Sequence, residues 1–163
     1  MKYQVALSAP YPNVENVRKN PMDAKKLMNS YGGRNSETGA VLTYAYQSYV
    51  VKKENPELAS MLEQVAVVEM KHHELLGTAI YYLGGLPVIA GRNAYFSAAG
   101  LDYSVRAEEF LVRNVREEEA AIREYEALEK TLATPEIREL VKRIVDDETL
   151  HVKLFSETLA KMH

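Results

Sequence analysis

With 163 residues, 47% of them hydrophobic, and a formal charge of −3, the chain has the size of one domain with a core of its own and no basic surplus to suit nucleic acid. It contains no cysteine, which excludes disulfides, thiolate nucleophiles, iron-sulfur clusters and any cysteine-bound iron centre within it. No stretch approaches the roughly 18 uninterrupted apolar residues of a membrane span, and M-K-Y-Q-V-A-L-S-A-P at the start is too short an apolar run for a signal peptide; no membrane partner and a cytoplasmic location are the expectation.

Residues 1–35 read as an irregular arm broken by Pro10, Pro12 and Pro21, with a short helix from Asp23 to Asn29. Such an arm cannot form a core alone, so it is expected to lie across the rest of the molecule or a partner subunit. Residues 36–163 read as one domain of four long helices. The first runs from about Ser36 to Lys53, capped by Asn35 or Ser36, with Val41, Tyr44, Ser48 and Val51 on its inner stripe. Asn55 caps the second, Pro56 opens it, and Leu58, Leu62, Val65, Glu69, His72, Leu76 and Ile80 carry its helical period to about Leu83. From Leu86 to Tyr103 there is no sustained period. A connection that long is expected only where it must travel the whole length of a bundle. The third helix spans about Ser104 to Leu132, with Phe110, Leu111, Val115, Glu118, Ile122, Tyr125 and Leu128 inward. Thr134-Pro135 repeats the cap-plus-proline device, and the fourth helix continues to about Lys161. The fold class is all-α: a four-helix bundle with a long crossover between its second and third helices and an N-terminal arm.

The chemistry lies in a pattern that occurs twice. Glu37 is followed by Ala40, Val41 and Tyr44, and Glu118 by Ala121, Ile122 and Tyr125; Glu69 is followed by His72, and Glu148 by His151. Residues three apart share a helix face, so each Glu-x-x-His pair can offer an oxygen and a nitrogen to one ion. A lone Glu on one helix and a Glu-x-x-His on the next, twice over, is the inventory of a dinuclear carboxylate site in a four-helix bundle. Glu37 stands 18 residues before Asn55 and Glu69 stands 14 after it; Glu118 stands 16 before Thr134 and Glu148 stands 14 after it. The axial mismatches are roughly 6 and 3 Å, which carboxylate side chains can span.

The assignment gives Glu37 and His72 to one ion, Glu118 and His151 to the other, and makes Glu69 and Glu148 bridges. Tyr44 and Tyr125 lie two turns beyond Glu37 and Glu118, where a phenol could donate to a bridging carboxylate or a bound oxygen species. His73 has no counterpart in the second half, where Val152 stands, and reads as a surface or outer residue; His163 is terminal and takes no role. The neighbouring acids of Glu117-Glu118-Glu119 and Asp146-Asp147-Glu148 read as solvated. Oxygen-rich donors with two imidazoles suit iron(II) or manganese(II). The reactions open to such a pair are peroxide reduction, peroxide disproportionation and oxidation of iron(II).

From about Ser36 onward the chain resembles the ferritin-like superfamily, in the region shared by rubrerythrins, bacterioferritins and dimanganese catalases. Glu37, Tyr44, Glu69, His72, Glu118, Tyr125, Glu148 and His151 match its dinuclear pattern. E-M-K-H at 69–72 and G-G-L-P at 84–87 are similar to bacterioferritin, whereas Y-G-G at 31–33 and S-E-T-G-A at 36–40 resemble the manganese catalase group. The resemblance implies a dinuclear iron or manganese oxidoreductase acting on hydrogen peroxide or dioxygen, rubrerythrin-like or manganese-catalase-like. It also implies an external electron donor for peroxidase chemistry and a homodimer or small homo-oligomer. Its alternative is a ferroxidase or iron-storage role. The chain departs from these relatives at Val115, where rubrerythrins carry an extra glutamate, and at Glu117, where manganese catalases tend to have arginine. Met70 stands where bacterioferritin has its haem-binding methionine and is expected to point away from the metals.

Overall fold

The computed structural model describes residues 3–91 and 93–162, and its helices are α1 (Pro21–Gly32), α2 (Glu37–Val51), α3 (Pro56–Tyr82), α4 (Ala107–Glu129) and α5 (Pro135–Ala160), with one 3-10 turn at Ala98–Gly100. His163 lies outside the described residues. Prolines and caps set the helix starts. α1 is longer at both ends than the sequence suggests, because Pro21 sits at its first turn and the Asn20 side chain accepts from the Asp23 N–H at 3.2 Å. Asn55 does the same for α3, accepting from the Leu58 N–H at 3.0 Å.

The expected cap at Thr134 is different. Its side chain makes no capping bond to α5. The buried Asp23 carboxylate instead reaches across from α1 and accepts from the Ala133 N–H at 2.9 Å, the Thr134 N–H at 2.8 Å and the Thr134 hydroxyl at 2.8 Å. Burial opposes its ionisation, but the bonds from Lys26, Thr134 and Ala133 outweigh that and hold the carboxyl below its usual range. α4 starts three residues later than expected. Asp102 accepts from the Ser104 N–H at 3.0 Å and the Ser104 hydroxyl at 2.7 Å, which keeps that stretch out of the helix. α3 ends where Gly84 takes a φ of 94° and the Gly85 N–H returns to the Ile80 carbonyl at 2.9 Å.

The bundle is α2–α5, and the crossover joins α3 to α4. That it runs back along the bundle follows from the packing: Leu58 and Leu62 at the start of α3 share a cluster with Phe110 and Leu111 at the start of α4 and with Phe155 near the end of α5. A second cluster gathers the far end, with Leu76 and Ile80 of α3, Tyr125 of α4, Ile137 to Ile144 of α5, and Leu27 and Tyr31 of α1. The core is therefore in two parts, and the layer between them is polar. The arm lies across the bundle: Val14 is buried in the second cluster, the Tyr3 N–H donates to Gln64 Oε1 at 3.1 Å, and the Leu7 N–H donates to Asp147 Oδ1 at 2.7 Å. No helix among the described residues is long and apolar enough to cross a membrane.

Candidate metal centre

The polar layer is made of Glu37 on α2, Glu69 and His72 on α3, Glu118 on α4, and Glu148 and His151 on α5, none of them more than 4% exposed. They form two overlapping groups, Glu37, Glu69, His72 and Glu148 in one and Glu69, Glu118, Glu148 and His151 in the other, with the donor atoms of each group within 4.8 Å of one another. Glu69 and Glu148 belong to both. His72 Nδ1 lies 3.2 Å from Glu148, 3.4 Å from Glu69 and 3.6 Å from Glu37, and His151 Nδ1 lies 2.9 Å from Glu69, 2.9 Å from Glu148 and 3.6 Å from Glu118.

Buried polar groups are normally satisfied, yet Glu37 Oε2, Glu69 Oε1 and His72 Nδ1 have no hydrogen-bond partner. Three orphaned donor atoms converging on one small space are what a pair of cations would satisfy, and the oxygen-and-imidazole set fits iron or manganese. Protonation shows the same frustration. Burial first, and then the neighbouring carboxylates, push Glu37 and Glu118 well above the usual range, although the imidazoles pull the other way. Glu69 goes below it, because the adjacent imidazoles outweigh its burial. Burial alone would lower both imidazoles, but the charge of Glu148 beside His72 and of Glu69 beside His151 raises them instead.

Both phenols bind carboxylates of the layer, though not the shared ones. Tyr44 donates to Glu118 and Tyr125 donates to Glu37, so each binds a carboxylate belonging to one group only, not the shared Glu69 or Glu148. The partner pairs 37–125, 44–118 and 47–114 fall along α4 as they rise along α2, so the two helices are antiparallel. Two turns along its own helix therefore carry each phenol to the other helix's glutamate. Burial and the adjacent carboxylate charge raise both phenols, which keeps them protonated as donors.

Sequence reasoning missed three residues. Asp147, read as solvated, is fully buried; its Oδ2 lies 3.2 Å from His72 Nε2 and accepts from the Tyr11 hydroxyl at 2.6 Å. Burial raises it, yet bonds from His72, Tyr11, Arg143 and the Leu7 N–H bring it down to about 2. Its position three residues after Ile144 and four before His151 puts it on the inner stripe, a signal that the run of acids masked. Gln47 and Asn114, both fully buried, form a reciprocal amide pair at 3.0 and 2.7 Å between α2 and α4, and each also sits on its helix's inner stripe. His73 stacks on Tyr31 at 4.3 Å, outside the layer, and Met70 is exposed. Among the neighbouring acids, Asp146, Glu117 and Glu119 are exposed, as expected.

A family model described as Rubrerythrin matches residues 33–159. No curated protein matches the chain. Among solved structures, the chain is similar to KatB, a manganese catalase from Anabaena PCC7120, at 24% identity and a TM-score of 0.86, over 96% of this chain and 80% of that one. It is also similar to the Desulfovibrio desulfuricans bacterioferritin, solved for its diiron site in different catalytic states, at 23% identity and a TM-score of 0.70, over 88% and 84% of the respective chains. At these identities the likeness is one of fold.

Proposed function

The chain belongs to the rubrerythrin family, and from that premise we propose that its polar layer holds two iron or manganese ions and that the loaded protein is an oxidoreductase acting on hydrogen peroxide or dioxygen. The observation that carries this reading is the pair of overlapping donor groups, sharing Glu69 and Glu148, at the inner end of a cavity. Glu37 and His72 would hold one ion and Glu118 and His151 the other, and Glu69 and Glu148, which belong to both groups, would serve the two together. Four carboxylates offset two divalent charges, so the loaded layer is formally neutral. When bound, the pair supplies Lewis acidity and two electrons at adjacent positions.

The chain's own groups prepare the site. Tyr125 occupies Glu37 Oε1, which leaves the orphaned Oε2 as the oxygen facing inward. Tyr44 fixes one oxygen of Glu118 in the same way. The cavity, about 290 Å³, reaches Glu37, Glu118 and both phenols between α2 and α4, and opens beside Gly100–Asp102, Arg34 and Arg113. Gly39, Ala40, Ala120 and Ala121 leave it wide enough for a small oxidant to reach the layer, while the two apolar clusters close the bundle at either end. The likeness to a manganese catalase supports peroxide as the oxidant. Exposed Leu42 and Tyr49 on α2, with Val67 and Met70 on α3, accord with a homodimer or small homo-oligomer.

Anaerobic loading with iron(II) or manganese(II), followed by stopped-flow addition of peroxide, tests the reading. Oxygen release without a reductant marks catalase chemistry, and peroxide loss only with an added electron donor marks a peroxidase. If the loaded protein neither oxidises its metals nor consumes peroxide, the enzyme reading fails. The likeness to bacterioferritin favours a second reading, ferroxidase activity or iron storage. Storage needs a shell, so a small oligomer in solution would leave only the ferroxidase part.

A further inference from the structure

Both imidazoles are aimed from behind by groups that Arg143 and residues 5–11 of the arm hold. His151 Nε2 lies 2.8 Å from the Val5 carbonyl oxygen. A carbonyl can only accept, so Nε2 carries the proton and Nδ1 is the nitrogen that faces Glu69 and Glu148, each at 2.9 Å. His72 is fixed the same way by Asp147, and Asp147 is itself held by the Leu7 N–H at 2.7 Å and the Tyr11 hydroxyl at 2.6 Å. Arg143, 6% exposed, ties the system together. Its Nη2 donates to the Leu7 carbonyl at 2.8 Å, its Nε donates to the Ala9 carbonyl at 3.1 Å, its Nη1 lies 2.6 Å from Asp147 Oδ1, and its guanidinium covers the Tyr11 ring at 4.4 Å.

We propose that Arg143 and arm residues Val5 to Tyr11 are positioning elements of the metal centre, so that docking of the arm and binding of the ions are one linked equilibrium. This rests on the metal reading above. The arm lies outside the 33–159 span that the family model matches, so it is a contribution that the match alone does not carry. With the arm undocked, His151 loses the Val5 carbonyl as its acceptor at Nε2, and Asp147 loses two of the donors that orient it toward His72. Both rings are then free to turn their Nδ1 atoms out of the layer. By reciprocity, whatever factor the docked arm adds to ion affinity, bound ions add to docking of the arm.

The test follows amide hydrogen exchange at Leu7, whose N–H donates to Asp147, in the full chain with and without manganese(II), together with calorimetric titration of manganese(II) into wild type, Arg143→Ala and Tyr11→Phe. Saturating manganese should slow Leu7 exchange at least about tenfold. Arg143→Ala should bind manganese about 10–100-fold more weakly, the usual range for loss of a partner that orients a ligand. Tyr11→Phe, which removes one hydroxyl at a half-buried position, should shift affinity in the same direction by less. The proposal is overturned if Leu7 exchanges at one rate in both states, or if the variants take up two ions as tightly as wild type while only their melting temperatures fall. Should Arg143→Ala not fold, wild-type exchange and Tyr11→Phe decide the matter. A wild type that takes up neither manganese(II) nor, in a parallel anaerobic titration, iron(II) sinks the metal reading and this inference with it, and those two titrations tell that outcome apart from a failure of the arm alone.

Discussion

The reciprocal amide pair of Gln47 and Asn114 gives a sharp test of how α2 and α4 are held across the layer. Both side chains are fully buried, and each donates to the other's carbonyl oxygen, at 3.0 and 2.7 Å. Gln47→Leu leaves the Asn114 amide with one donor and one acceptor unsatisfied in a place that water does not reach. Each such group costs about 1–3 kcal/mol, and the added apolar burial returns roughly 1 kcal/mol, so with two groups orphaned a net loss of about 1–5 kcal/mol is expected. In a chain of this size that is a fall of roughly 2–20 °C in melting temperature. Asn114→Leu should behave alike, for the mirror-image reason. Replacing both partners with Leu removes the orphaned groups as well as the bonds, so the double variant should lie within about 1 kcal/mol of wild type and above either single variant. The assay is urea denaturation of all four proteins at one saturating manganese concentration, which holds metal linkage constant. If the double variant's loss equals the sum of the single losses, the pair is not a mutually satisfied unit and the reasoning is wrong.

Three further outcomes are expected. Stripping the ions leaves Glu37, Glu118, His72 and His151 with raised values; such groups contribute stability below their unfolded pKa values, about 4.3 for Glu and about 6.5 for His, and lose it as pH climbs through the folded ones, so the gap in melting temperature between loaded and stripped protein should widen from pH 6 to pH 9. A gap that narrows over that range would refute the electrostatic account of the layer. Asp23 is lowered in the folded state, so its contribution is complete above about pH 3.9 and fades as pH falls below that; Asp23→Asn should lose about 1.5–3 kcal/mol at pH 7 and visibly less at pH 3, measured by urea denaturation. Ala120→Phe places a ring in the cavity wall and should slow peroxide turnover at least about tenfold while both ions still bind, as metal analysis beside stopped-flow kinetics would show.

The parts legible in the sequence are those with a local signature. Pro56 and Pro135 mark helix starts, and the doubled Glu and Glu-x-x-His patterns name the six side chains that the structure gathers into one layer. The start of α4 was displaced because the Asp102 side chain competes with the helix for the Ser104 N–H, and such local competition does not show in apolar periodicity. Asp147 was misread because its charge was weighed above its position on the stripe. The crossed pairing of the phenols needed the direction of α4 relative to α2, which the length of the crossover implies but no single helix reveals. The Val5 carbonyl could not have been found at all: it is a backbone atom, and any residue would supply it.

The near-equivalence of the two halves has one more consequence. α2 with α3 already carries a carboxylate of one group alone, a shared carboxylate, an imidazole and a phenol, and α4 with α5 carries the same set. Because α2 runs opposite to α4, a two-fold rotation takes one set onto the other, so two identical half-length chains docked face to face would rebuild the whole constellation without a crossover. The joined chain departs from that symmetry at the Gln47–Asn114 amides: the offset that takes Glu37 to Glu118 sets Leu128 against Gln47 and Gly33 against Asn114, so the two ends of the layer have unlike surroundings.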